Sequence, residues 1–100
     1  MKVYTESIQF KADQKLLDFI EQKLQKIENY FDHIIEARVV LKLENSGQVR
    51  DKIAEMRLSV PGDTLIVKET SKTFETSVLN AIGTLKRQLD RYKAKLPGKS

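Results

Sequence analysis

Seven basic residues, Lys72, Lys86, Arg87, Arg91, Lys93, Lys95 and Lys99, fall between Lys72 and the C-terminus, against only two acids, Glu75 and Asp90, a local charge of +5. Residues 1–71 carry eleven basic and twelve acidic residues, so the whole net charge of +4 belongs to one C-terminal element. A cationic element of this kind suits phosphate, because displacing condensed counterions from nucleic acid yields affinity without a shaped pocket. Other chemistries find no residues to carry them. Cysteine is absent, which excludes disulfides and thiolate metal sites. His33 is the only histidine and sits in a turn, carboxylates are scattered, and no nucleophile is paired with a base. Ser46-Gly47-Gln48 and Pro61-Gly62-Asp63 are turn chemistry rather than a phosphate loop. The sequence therefore predicts no enzyme, no cofactor, no metal and no small-molecule substrate.

The basic element reads as a helix. Phe74, Val78, Ala81, Ile82, Leu85, Leu89, Tyr92 and Leu96 recur at spacings of three and four, and at about 100° per residue they lie within roughly 60° of one line. Arg87 and Arg91 fall on the opposite side, Lys86 and Lys93 near one shoulder of the seam and Lys95 near the other. Ser71 or Thr73 can cap the start, and Pro97 and Gly98 can stop the end. An ordinary amphipathic helix with a solvated face has the same periodicity; the segregation of charge sets this one apart.

The elements that must position these cations follow from the rest of the chain. One hundred residues bury one core, so residues 1–100 are expected to form a single domain with a short tail at 97–100. The N-terminus lacks an apolar signal core and no segment approaches a membrane span, which makes the cytoplasm the expected compartment. Val3, Thr5 and Ser7 alternate with Tyr4, Glu6 and Ile8 in a first strand ending near Phe10. Asp13 caps a helix from Gln14 to Phe31 whose seam is Leu16, Leu17, Ile20, Leu24, Ile27, Tyr30 and Phe31. Ala37 to Leu43 alternates as a strand, Glu44 to Lys52 reads as a polar loop, Ala54 to Val60 alternates again, and Pro61-Gly62-Asp63 turns into Leu65 to Lys68.

The order β-α-β-β-β-α predicts an α+β fold. A strand–helix–strand crossover lays the first strand parallel to the second, and a meander completes a four-stranded mixed sheet with both helices side by side on one face, as in a double-stranded RNA-binding domain. On the first helix, Lys15, Lys23 and Lys26 share one side of the seam. If that side faces the second helix, these lysines and the Arg87, Arg91, Lys93 and Lys95 set form one cationic surface. Tyr30 and Tyr92 lie on apolar seams and read as core residues rather than base-stacking platforms.

At this point the chain resembles the ribosome hibernation promoting factor and ribosome-associated inhibitor A family. The resemblance rests on Gln22-Lys23-Leu24-Gln25-Lys26-Ile27-Glu28-Asn29-Tyr30-Phe31-Asp32, on Val39-Val40-Leu41-Lys42-Leu43-Glu44, on Thr73-Phe74-Glu75, and on the run from Leu85 to Leu96. It implies binding to the small ribosomal subunit and its ribosomal RNA, in the channel of messenger RNA and transfer RNA, with translation blocked by occlusion during stationary phase or stress. The positions it carries over are Lys23 and Lys26 on the first helix and Arg87, Arg91, Lys93 and Lys95 on the second; Lys86 joins them as a charge that relatives often lack. Thr84 stands where relatives often have lysine, and Leu79 and Asn80 where an acid is common. The chain resembles the short form of the family, without the second domain of long relatives, and is expected to be a monomer when free. Two rivals share the residue pattern: a generic double-stranded RNA binder, and a protein-interaction module that docks its basic helix on an acidic partner or pairs through the sheet face around Val40 and Ile66.

Overall fold

The computed structural model describes residues 1–46 and 49–96. Its elements are β1 (Lys2–Ile8), α1 (Gln14–Tyr30), β2 (Glu36–Ser46), β3 (Val49–Val60), β4 (Asp63–Ser71) and α2 (Phe74–Ala94). The order is the expected one. Asp13 caps α1 by accepting from the Leu16 amide at 2.9 Å, and Thr73, rather than Ser71, caps α2 by accepting from the Thr76 amide at 3.1 Å. Helix α1 stops one residue earlier than periodicity implies: Phe31 is extended and its amide closes the last turn on the Ile27 carbonyl at 2.9 Å.

The four strands form one sheet in the order β1-β2-β3-β4, with β1 parallel to β2 and the other pairs antiparallel. This is the mixed sheet that the crossover and meander require. One correction concerns residues 44–52, read from the sequence as a polar loop. The β2–β3 ladder continues through them, with Glu44 opposite Asp51, Asn45 opposite Arg50 and Ser46 opposite Val49. A hairpin ladder is held by backbone hydrogen bonds and needs no apolar alternation to run past the core. Gly47 and Gln48 of the anticipated turn lie outside the described residues, as do Pro97, Gly98 and Lys99. At the other hairpin, Val60 pairs with Asp63 around Pro61 and Gly62, and Gly62 adopts φ +79°. Proline at the first turn position and a left-handed residue at the second are what a type II turn demands.

Alternation decides which face is buried. Ala37, Val39 and Leu41 of β2, Ala54, Met56, Leu58 and Val60 of β3, and Leu65 and Val67 of β4 all point to one face and are buried. Against them pack Leu16, Ile20, Leu24 and Ile27 of α1 and Phe74, Val78, Ala81, Ile82, Leu85, Leu89 and Tyr92 of α2. Ser77 joins that buried stripe although it is polar; its hydroxyl donates to the Lys52 carbonyl at 2.7 Å and lies 3.0 Å from the Ser71 hydroxyl. The opposite sheet face carries Tyr4, Arg38, Arg57 and Ile66 side by side.

Both helices lie on the buried face and run in the same direction. Phe10, just before α1, stacks on Phe74 at the start of α2 with ring centroids 4.6 Å apart, while at the far ends Tyr30 meets Asp90 and Lys93. Tyr30 departs from its expected place in the core: it is 41% exposed. It stands on the rim of the apolar stripe, where the neighbouring helix decides burial.

Candidate nucleic-acid interface

Two contacts orient α1 about its own axis. Glu28 accepts from the N-terminal amine at 2.8 Å on one flank. On the other flank the Tyr30 hydroxyl donates to the Asp90 carboxylate of α2. Helical geometry puts Phe19, Lys23 and Lys26 on the Tyr30 flank, so α1 turns its lysine edge toward α2. The helices are parallel and Tyr30 meets Asp90, an offset of 60 residues. The same offset sets Lys26 level with Lys86, and Lys23 level with Gly83. Lys23 lies over the Phe19 ring, its ammonium 5.2 Å from the centroid, which holds the stem along apolar surface while the charge stays at the rim.

On α2 the predicted cations divide into three sets. Lys86 and Lys93 share the flank of Asp90 and so border the groove between the helices; the Lys93 ammonium sits 4.6 Å from the centroid of the Tyr30 ring. Arg87 projects outward and donates through Nη2 to Thr84 Oγ1 at 3.1 Å. Arg91 and Lys95 occupy the far flank, lining with Asp63, Leu65, Gln88 and Tyr92 a shallow cleft of about 190 Å³ beside the β3–β4 hairpin. The inter-helix groove thus gathers Lys23, Lys26, Lys86 and Lys93. Arg87, Arg91 and Lys95 continue over the outer surface of α2 instead of joining that groove.

Among the described residues, none of these seven cations is in an ion pair. That matters for an incoming polyanion. A cation already paired with an acid must exchange one partner for another, whereas an unpaired one exchanges only water and counterions. His33 is exposed in the turn after α1, 3.4 Å from Asp32 and edge-on to Phe31, and no group of metal-ligating side chains forms among the described residues.

Sequence reasoning missed the clasp between the helices. Asp90 looks like a misplaced acid within a basic helix, yet it holds the Tyr30 hydroxyl, and that hydrogen bond, with lesser contributions from desolvation and the carboxylate charge, raises the Tyr30 pKa above its ordinary value. Gln88 is a second such residue: its Nε2 donates to the Ile66 carbonyl at 3.2 Å, covering part of the open edge of β4, while its Oε1 is buried without a partner. Only knowledge of the crossing could have found either contact, since both depend on partners 60 and 22 residues away.

The chain is similar to known proteins over nearly its whole length. A family model described as sigma 54 modulation protein / S30EA ribosomal protein matches residues 3–97. A ribosome hibernation promoting factor of Klebsiella oxytoca is 33% identical over 79 residues, 79% of each chain. A ribosome hibernation promotion factor of Deinococcus radiodurans is 29% identical over 80 residues, 78% of this chain but 41% of the relative, so the chain spans about two-fifths of that longer protein. Among solved structures, a ribosomal subunit interface protein from Coxiella burnetii superposes with TM-score 0.86 at 23% identity, over 95% of this chain and all of the other, and shows the same fold. The N-terminal domain of Thermus thermophilus Protein Y superposes with TM-score 0.78 at 26% identity, over 92% of this chain and 99% of the other. With nearly its whole length matched, this chain belongs to the sigma 54 modulation protein / S30EA ribosomal protein family.

Proposed function

We propose that this chain is a ribosome hibernation factor of the cytoplasm that docks its helical layer on ribosomal RNA of the small subunit. It occupies the channel of messenger RNA and transfer RNA and stops translation by steric exclusion in stationary phase or stress. The observation that carries the reading is the set of seven basic side chains, Lys23, Lys26, Lys86, Arg87, Arg91, Lys93 and Lys95, on the two helices, without an ion pair among the described residues. Arginine grips phosphate oxygens with two parallel donors and lysine acts as a point charge, so Arg87 and Arg91 rank first in orienting the chain and the groove lysines in attracting it. The sheet serves as a rigid platform. Recognition is of phosphate arrangement and groove shape rather than base sequence, and the unit that docks is a single copy, monomeric when dilute.

Sedimentation of a stationary-phase lysate through sucrose tests this, with wild type beside an Arg87→Glu/Arg91→Glu variant. Wild type should travel with small subunits and the variant should remain at the top. Equal co-sedimentation would overturn the site; absence of both from the subunit fractions would overturn the function.

A further inference from the structure

We propose that the sheet face turned away from the helices pairs with the same face of a second copy of this chain. Strand register sets Tyr4, Arg38, Arg57 and Ile66 in one row and Glu6, Val40, Glu55 and Lys68 in the next. The row before them includes Glu36, and the row after includes Lys42. The surface is presented for contact: Tyr4 is 43% and Ile66 55% exposed, and Arg38, Val40, Glu55, Met56, Arg57 and Ile66 line a shallow depression of about 180 Å³. Arg38 is held flat, its guanidinium 4.6 Å from the Tyr4 ring centroid and its Nε donating to Glu36 at 2.7 Å. Directly opposite it across the β2–β3 ladder stands Arg57. Like charges in that relation destabilise a sheet; Arg38 already holds Glu36, so Arg57, which is in no ion pair among the described residues, is the one that an acid supplied from outside relieves.

The chemistry of the occupant follows from the charge pattern. Acids stand within one row of every base, so this face lacks the one-signed field of the helical layer and does not suit a polyphosphate. It does suit itself. A second copy turned about a two-fold axis lying across the strands, between the Arg57 row and the Glu55 row, places each strand antiparallel to its own image. Position 57 then faces position 55 of the other copy, and position 42 faces position 36. Arg57 meets Glu55 twice, Lys42 and Glu36, already paired with Glu44 and Arg38 within each chain, come opposite each other twice, Val40 covers the Arg38 stem, Ile66 covers the Lys68 stem, and no like charges fall opposite each other. The ionic pairs lie on the two central strands, where the twist between packed sheets displaces them least.

Four strands about 4.8 Å apart and roughly four rows deep present on the order of 500 Å² per copy, less than the ~800 Å² of a standard interface, so the pair is reversible and concentration-dependent. Both helical layers face outward in it. The proposal therefore stands apart from the RNA-binding reading and fails separately from it.

Sedimentation equilibrium of the full chain over a wide concentration range tests the pairing, using wild type, Arg57→Glu, Glu55→Arg and an equimolar mixture of the two variants. Wild type should show a reversible dimer, and each variant alone should dissociate at concentrations about tenfold higher or more, since juxtaposed like charges are strongly unfavourable. The mixture should regain wild-type dimerisation, because the acid introduced at position 57 of one variant then meets the base introduced at position 55 of the other; the recovery also shows that both variants fold. A wild type that stays monomeric throughout, variants that dimerise as wild type does, or a mixture that fails to recover would each overturn the proposal. Amide shifts at Tyr4, Arg38 and Arg57 on adding an RNA oligonucleotide, with none on raising protein concentration, would assign the face to nucleic acid and overturn it as well.

Discussion

The Tyr30 hydroxyl of α1 donates a hydrogen bond to the Asp90 carboxylate of α2, and Lys93, one turn further on, lies over the Tyr30 ring. One acid thereby ties the two helices together at a point where Lys93 is its neighbour. The carboxylate raises the Tyr30 pKa, so the folded chain binds the phenolic proton more tightly than the unfolded chain does. The contribution of this contact to stability is complete below the ordinary phenol pKa of about 10 and is lost as pH rises through the higher folded value. Ultraviolet titration of tyrosinate should show one group ionising at lower pH in Asp90→Asn than in wild type. Coincident titration curves would remove the clasp.

Lys23→Gln and Lys26→Gln should weaken small-subunit binding and lessen its dependence on salt. For each phosphate no longer engaged, the slope of log affinity against log salt should become shallower by about 1. Binding measured from low to high potassium chloride gives both slopes directly. Unchanged slopes would place these lysines away from the RNA.

Two glycines should respond to alanine with opposite signs. Gly62 has φ +79° in open space, so Gly62→Ala meets no clash but strains the backbone and should cost about 1–2 kcal/mol. Gly83 lies within α2 with nothing within 4 Å of an added Cβ, and Gly83→Ala should stabilise the chain by about 0.5–1 kcal/mol through helix propensity. Urea denaturation of both variants, read as midpoint shifts at constant slope, checks the pair.

Leu85→Ala should cost about 2–5 kcal/mol, because Leu85 is fully buried in the packed seam of α2 and its removal leaves a cavity. A domain of this size has roughly 5–15 kcal/mol in total, so a clear drop in thermal midpoint is expected with the fold retained. A destabilisation below about 1 kcal/mol would contradict the packing described.

The fold was legible wherever apolar periodicity carried it: the order of elements, the α1 cap and the shared face of the helices follow from residues such as Asp13, Leu24 and Leu85, while the α2 cap was narrowed only to Ser71 or Thr73. Hydropathy was silent where backbone pairing alone holds structure, as in the ladder through Glu44 and Asp51. It misled at Tyr30, whose place on the rim of a stripe is exposed or covered according to how a second helix crosses. Ser77 was invisible for the opposite reason, being a polar residue buried by virtue of two hydrogen-bond partners outside its own helix. The cations were legible as a set. Their division between an inter-helix groove, an outward ridge and the flank beside the β3–β4 hairpin was not, because it depends on which shoulder of α2 faces α1.

The Tyr92 hydroxyl bonds to the Pro61 carbonyl, and Tyr92 also meets Phe31 edge-on, with ring centroids 5.8 Å apart. That mooring joins the final turns of α2 to a hairpin on one side and to the end of α1 on the other. A helix end otherwise frays, and charged tips carried on it must be immobilised when a ligand docks. Here Arg91, Lys93 and Lys95 stand on a segment tethered before any ligand arrives, so association loses little backbone freedom at that end. On the proposed reading, the cations of the last turn of α2 are thereby among the best prepared to grip.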